Sequence, residues 1–389
     1  MTMQATEQEG GLDLTPLKFL AFPLLSACVL VEVMLGGAFL WLVLPTYGAI
    51  ALFADEVAGD DLSRASKGRA ALLDAYLYCA LPLALLVSLF LIVHGSGVAP
   101  VWLTSVTAAV GIDLPARIAA TGWVELTVGI LGVGLFYGTL VNVAHELIHR
   151  TGNRAAWLTG RWLLAHTLDT GFAIEHVHGH HRYVGTARDP ATARRGEYVL
   201  AFVWRSTIGQ IASAWNIEKA RLERRGLPLW SHHNVYLRGQ LMSIALLASA
   251  FLIAGWRGLA VFVVAGLLGK LSLEVVNYIE HYGLARVEGS RVQPHHSWNS
   301  HRRISSWVLF NLPRHSDHHI VATRPYYDLR SVPELKGDAP VLPFGYLGCM
   351  TASLFPHYWN RLMQRPLRDW DERLASAGER AAAKAMAVR

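Results

Sequence analysis

Hydrophobic positions in this chain fall in runs far longer than the face of an amphipathic helix or a half-buried strand requires. From Leu17 to about Leu52 the run is nearly unbroken, and it is too long for one pass through a bilayer. Glu32 and Gly36 divide it into two helices. Further runs occupy Ala71–Val93, Trp123–Ala144, Leu237–Ile253 and Leu259–Tyr278, and a Gly255-Trp256-Arg257-Gly258 turn separates the last two. Each approaches the roughly 20 residues that span about 30 Å of hydrocarbon at about 1.5 Å per residue. The pattern predicts an all-α polytopic membrane protein with six transmembrane helices. Val98–Ala120 reads as a non-spanning or re-entrant segment.

Composition agrees. Of 389 residues, 52% are hydrophobic and 16% charged, where soluble chains carry about 25% charged residues. Three separated cysteines, Cys28, Cys79 and Cys349, provide neither a disulfide framework nor a Cys-ligated cluster. The net charge of +6 comes without a basic stripe interleaved with aromatics, so nucleic acid is excluded as a partner. Topology explains the basic residues better. Of the 35 Lys and Arg, 13 lie between His145 and Arg238 and 15 from Arg286 to the end, whereas His94–Thr121 carries Arg117 alone. By the positive-inside bias the two long polar segments, 145–236 and 281–364, are expected to face the cytoplasm from a multi-pass bacterial cytoplasmic (inner) membrane protein. Residues 1–16 form an acidic tail without a signal-peptide pattern, 17–364 one membrane domain, and 365–389 a polar C-terminal tail ending in a frayed Ala-rich helix.

The chemistry is written in histidine. Four of the clusters stand at or just beyond the ends of spans: His145-Glu146-Leu147-Ile148-His149, Glu175-His176-Val177-His178-Gly179-His180-His181, Glu280-His281, and His315-Ser316-Asp317-His318-His319. Spacings of i and i+4 put two imidazoles on one helical face, where their neutral nitrogens can converge on iron, zinc or copper. Nine histidines (His145, His149, His176, His180, His181, His281, His315, His318 and His319) exceed one ion's coordination and suit two. Ionisable groups beside a membrane are costly unless they have work to do. His-Glu-x-x-His is also the zinc-metalloprotease signature, with the glutamate as general base, but one zinc leaves seven of these histidines unexplained.

At these residues the chain resembles the membrane-bound alkane monooxygenases of the histidine-box fatty-acid desaturase and hydroxylase superfamily. The resemblance rests on His145–Arg150, Glu175–His181, Asn277–Leu284 and Leu312–His319, with flanking likeness at Asp189–Thr192, Arg221–Gly226 and His295–Ser300. It implies six membrane helices and a cytoplasmic-side centre of two non-haem iron ions held by the nine histidines. The implied reaction hydroxylates the terminal methyl of medium- to long-chain alkanes with O2 and two electrons from rubredoxin, itself served by a rubredoxin reductase. With no paired C-x-x-C motif in the chain, that donor is expected to be a separate protein.

Carboxylates beside the histidines, Glu146, Glu175, Asp189, Glu280 and Asp317, are expected to accept imidazole hydrogen bonds or to pair with Arg150, Arg182 and Arg314, and His296 to support the site as a donor. Arg182, Arg194, Arg195, Arg221, Arg224 and Arg225 form a basic face suited to lipid headgroups or an acidic redox protein. An alkane offers no polar handle, so specificity must be shape, with Trp41, Thr46 and Tyr47 expected to line the substrate channel. The first box departs from the family's usual Leu-Gly-His-Lys by reading Leu-Ile-His-Arg. The same cage could serve aromatic or terpene methyl groups, or lipid desaturation.

Overall fold

The computed structural model describes residues 15–64 and 69–388, so the acidic N-terminal tail lies almost wholly outside the described residues. Every regular element described is helical, and β-pairing is confined to isolated bridges. Four helices are long and apolar enough to cross a bilayer: α1 (Pro16–Leu35), α4 (Ala70–Ser96), α7 (Trp123–Ile148) and α11 (Val235–His281). Between α1 and α4 lie the shorter α2 (Gly37–Tyr47) and α3 (Ala49–Val57). Val98–Ala120 does not span. It folds as two short helices, α5 (Val101–Ala109) and α6 (Leu114–Ala119).

Helix α11 holds both apolar runs expected near the C-terminal half. At 47 residues it would measure about 70 Å if straight, more than twice the hydrocarbon layer. It does not run straight, because Gly255 breaks it with φ 60° and ψ −162°. On either side of that break, Gln240 Nε2 approaches Thr170 Oγ1 at 3.5 Å while Lys270 Nζ reaches the adjacent Asp169 at 2.5 Å. The helix therefore doubles back at a glycine whose conformation a side chain would strain. Gly36, with φ 58° and ψ −161°, turns α1 into α2 the same way, and Ser26 Oγ then meets Tyr47 OH at 3.0 Å.

The second apolar run departs from expectation. The sequence suggests one continuous span, but α2 contains Pro45 and ends at Gly48, where φ −105° and ψ −82° leave the helical region before α3 begins. Pro45 removes one backbone donor from the turn before it, while Gly48 N still bonds Leu44 O at 2.8 Å, so the helix ends at the glycine itself. Glycines set the packing: a Cβ on Gly132 would meet Val43 of α2, and one on Gly134 would meet Leu268 of α11.

After α7 the chain re-enters the bundle as α8 (Arg154–His166), whose last residue lies against Tyr137 and Phe262. It returns through α9 (Phe172–Glu175), a π-helical turn His176–His180 and a helical turn His181–Tyr183. Helix α10 (Val199–Arg224) then packs against α9 and α11. The C-terminal third caps the histidine end with α12 (Arg303–Val308), α13 (His315–Ile320), α14 (Tyr346–Ser353), α15 (Pro356–Arg373) and α16 (Ala377–Met386). Helix α15 continues across position 365, and α16 is docked instead of frayed. A Ser376/Glu379 capping box starts it, and Glu379 Oε1 lies 2.6 Å from His296 Nε2 and 3.1 Å from His295 Nε2.

Candidate metal centre

Four separate stretches bring the nine histidines to one place. The end of α7 supplies His145 and His149, the π-helical turn and the residue after it His176, His180 and His181, the end of α11 His281, and α13 His315, His318 and His319. They form two groups whose nitrogens lie within 4.8 Å of one another: His145, His149, His176, His181 and His318, and His180, His281, His315 and His319. Two pairs of consecutive residues, His180/His181 and His318/His319, contribute one ring to each group. Residues about 100° apart on a helix point to neighbouring sites, so such pairs join the two halves.

The π-helical turn decides this division. In an α-helix His176 would share a face with His180, but the π-turn's i to i+5 register turns His181 onto the face of His176 instead. His181 Nε2 lies 3.1 Å from His176 Nε2, and His180 Nε2 turns to His319 Nε2 at 3.3 Å. The second group closes through His319–His315 at 2.9 Å and His315–His281 at 3.1 Å, and His318 reaches His181 at 3.0 Å. Two ligands at right angles about an ion, each bonded at about 2.1 Å, stand about 3.0 Å apart. Converging Nε2 atoms at such separations fit ligands around an ion. His145 Nε2 and His149 Nε2 are buried without a hydrogen-bond partner among the described residues, which fits the same role.

The charge state agrees. Burial, reinforced in most cases by neighbouring imidazoles, pushes His176, His181, His315, His318 and His319 far below the ordinary histidine range, and burial lowers His149 to about 3. These rings are neutral at pH 7 and present lone pairs. His180 goes the other way: burial lowers it, but the Asp189 carboxylate outweighs that and raises it. Asp189 Oδ2 lies 2.9 Å from His180 Nδ1 and accepts from Thr192 Oγ1 at 2.6 Å. Glu280 Oε1 lies 3.1 Å from His315 Nδ1 and accepts from Tyr346 OH at 2.7 Å. The Asp189 contact fills Nδ1 of His180 and leaves its Nε2 for the centre, while Glu280 stands beside His315 Nδ1 without a hydrogen bond to it.

The other expected carboxylates serve differently. Glu146 is bound by Arg150 at 3.0 and 3.3 Å, which occupies the group a zinc protease would need as its base. Glu175 accepts from Ser213 Oγ at 3.3 Å, and burial, with Asp189 adding to it, raises it to about 8. Asp317 turns away from the cage and takes Arg330 at 2.7 and 2.8 Å and Arg324 at 3.0 Å. Arg314 instead donates to the carbonyls of Leu329, Asp61 and Ser63. Arg182 is not drawn into an ion pair with these carboxylates; it lies over Tyr183, and its carbonyl accepts from Arg286. His296 points at Glu379, and its own backbone lies beside His281. Thr192 sits within the flagged Asp189–Thr192 stretch, but Tyr346, 66 positions from Glu280, carried no local signal.

An apolar cavity of 380 Å³ lies between α2, α7, α11 and α14, lined among others by Tyr47, Leu131, Leu135, Leu271 and Met350. Tyr47 is thus part of the wall of this cavity. Thr46 donates to Glu32 Oε1 at 2.9 Å, and Trp41 is half exposed on the outer side of α2, away from that lining. A smaller recess directly under the cage is walled by Val141, Asn142, Phe172, Leu273 and Leu312 with His145, His176 and His315. On the basic face, Arg195 and Arg221 are already paired, with Asp371 and Glu218, while Arg224 and Arg225 remain exposed.

The model of the fatty acid desaturase family matches residues 121–352, a stretch that contains all nine histidines. The chain belongs to the fatty acid desaturase family. Within this desaturase-type framework it is 38% identical over 253 residues to the alkane 1-monooxygenase of Ectopseudomonas oleovorans, covering 64% of this chain and 62% of that protein. Alkane 1-monooxygenase 1 of Pseudomonas aeruginosa is also 38% identical over 253 residues, covering 64% and 65%. The chain therefore spans less than two thirds of the length of these relatives. The xylene/toluene monooxygenase hydroxylase component of Pseudomonas putida is 30% identical over 375 residues, 95% of this chain and 94% of that protein.

Proposed function

We propose that this protein is an integral-membrane, non-haem di-iron monooxygenase that hydroxylates the terminal methyl of medium- to long-chain alkanes to 1-alkanols. The observation that carries it is the convergence of nine buried or half-buried histidines into groups of five and four. When bound, the two irons supply an O2-derived oxidant strong enough to attack an unactivated C–H bond. The protein's residues hold, aim and exclude. His145, His149, His176, His181 and His318 would hold one ion, and His180, His281, His315 and His319 the other. Asp189 fixes the His180 imidazole by its Nδ1, and the Glu280 carboxylate lies beside His315. Phe172, Leu273 and Leu312 keep the space beneath the cage dry, and the apolar cavity beside Tyr47 accepts the hydrocarbon from the bilayer.

Six passes, with the folded-back α11 counted twice and α2–α3 as the second, place both long polar segments and the centre on the cytoplasmic side. Two electrons come from a separate carrier protein of the rubredoxin class, with Arg224 and Arg225 within its docking face.

A second reading replaces the alkane by an aromatic methyl group. It is favoured by the match to the xylene/toluene hydroxylase component, which extends over 95% of this chain, where the alkane 1-monooxygenase match extends over 64%. Turnover of linear alkanes of increasing length beside toluene and the xylenes separates the two. Oxygen-dependent 1-alkanol supports the first, benzylic alcohol from the arenes with no alkanol supports the second, and no oxygen-dependent product from either overturns both.

A further inference from the structure

A second ionic cluster inside the bundle has no part in holding the centre. Lys270 Nζ lies 2.5 Å from both Asp169 Oδ2 and Glu274 Oε1. Glu274 is fully buried, and its Oε1 also accepts from Gln210 Nε2 at 2.8 Å. Gln210 Nε2 stands 2.7 Å from Ser206 Oγ, and Ser213, one turn further along α10, donates to Glu175 at 3.3 Å. Ser206, Gln210 and Ser213 follow the i, i+4, i+7 stripe of one helical face. A polar seam thus runs between α10, α11 and α9 from Asp169 to Glu175, the residue before His176. Its outer end, at Asp169, Tyr236 and Gln240, is partly exposed.

Ionisable groups at membrane depth are expensive and gather where protons or ions pass. The seam also carries three buried oxygens without a hydrogen-bond partner among the described residues: Glu274 Oε2, Gln210 Oε1 and Glu175 Oε2. Buried acceptors are normally satisfied, and three in one seam make the polar lining that a file of waters occupies. A purely structural ion pair needs no such lining.

We propose that this seam delivers protons from solvent to the metal centre, with Glu274 as its relay carboxyl. The proposal rests on the monooxygenase reading, whose balance is RH + O2 + 2 e⁻ + 2 H⁺ → ROH + H2O. One oxygen atom enters the new C–O bond and the other leaves as water. The carrier protein supplies both electrons, and solvent must supply both protons. Glu274 Oε2, engaged by neither Lys270 nor Gln210, is the atom that holds the proton in transit. The groups around it are Lys270 on its own helix, Asp169 with Tyr236 at the mouth, Glu175 on α9, and the neutral Ser206, Gln210 and Ser213 of α10. Glu274 positions protons and touches no substrate.

The test uses the full chain in lipid with its electron carrier, comparing Glu274→Gln, Glu274→Asp and Gln210→Met with wild type. Glu274→Gln should lower kcat roughly tenfold or more, the scale of a lost proton-transfer group. It should also raise the solvent deuterium isotope effect while leaving hydrocarbon KM and iron content unchanged. Glu274→Asp should restore most of the rate, and Gln210→Met should show the same signature more weakly. Wild-type kcat and isotope effect in Glu274→Gln overturn the proposal. If that variant loses iron or fails to fold, Gln210→Met decides, and an unchanged isotope effect there overturns it. A wild-type protein that forms no oxygen-dependent product refutes the monooxygenase reading itself, a result distinct from the others.

Discussion

Replacing Asp189 by asparagine keeps the size of the side chain and removes its charge from beneath His180. The carboxylate lies 2.9 Å from His180 Nδ1 and accepts from Thr192 Oγ1 at 2.6 Å through Oδ2, while Oδ1 takes the Ala191 amide at 3.0 Å. All three contacts need an acceptor, and an asparagine has one acceptor oxygen for two positions. Whichever way the amide turns, an N–H faces a donor, in a place where both partners are buried. Loss of an outer partner of a metal-bound imidazole weakens metal affinity about 10–100-fold, or about 1.4–2.8 kcal/mol. The effect should fall on one ion, because Asp189 touches the group of four and the His145 group has its own ligands. Competitive chelator titration of purified protein reads this directly. Wild type should release its iron in one range of chelator concentration, and Asp189→Asn should lose one iron about 10–100-fold earlier while the second stays. A thermal melt by circular dichroism confirms the fold. Release of both irons at the wild-type chelator concentration refutes the claim that Asp189 supports His180 as a ligand.

Other consequences follow from the same geometry. Gly36→Ala forces a side chain onto φ 58° and into the His94 imidazole, so the variant should be destabilised by at least about 1–3 kcal/mol in a detergent melt. Leu135→Trp fills the cavity beside Tyr47 and should shift preference towards shorter hydrocarbons, whereas Trp41→Ala, on the outer side of α2, should leave the product profile across chain lengths unchanged. Burial holds His296 at about 4, below the ordinary 6.5, even with Glu379 alongside. A depressed histidine contributes stability that is present above pH 6.5 and drains away as the pH falls towards 4. Limited proteolysis should therefore cut α16 free increasingly across that window and leave it protected at pH 7.

Most of the helical framework was legible because hydrocarbon thickness and helix rise leave few ways to arrange long apolar runs. The turn at Gly255 and the break at Gly36 could be read from glycines inside such runs. Pro45 and Gly48 carried the warning that α2 would not continue, but apolar continuity outweighed it. At the site, i and i+4 spacing anticipated the grouping of His145 with His149 and of His315 with His319. It mispaired His176 with His180, because helical periodicity assumes an α-helix and this segment is π-helical. Trp41 was expected to face inward, yet an amphipathic reading has little purchase on a helix that is apolar all round. Tertiary partners were the least legible. Tyr346 reaches Glu280 across 66 residues, Asp317 takes Arg324 and Arg330 in preference to Arg314, and Glu379 ties the supposed tail to His296.

The central claim is that nine histidines hold two irons that oxidise hydrocarbon. The most direct test is metal content of the purified protein, measured with oxygen-dependent product formation, in wild type and in His315→Ala. About two irons per chain, and an alcohol product that disappears in the variant, are what the two-group geometry predicts. One zinc, no iron and no oxygen-dependent product would contradict it, and would return the His145–His149 pair to the protease reading that the binding of Glu146 by Arg150 argues against.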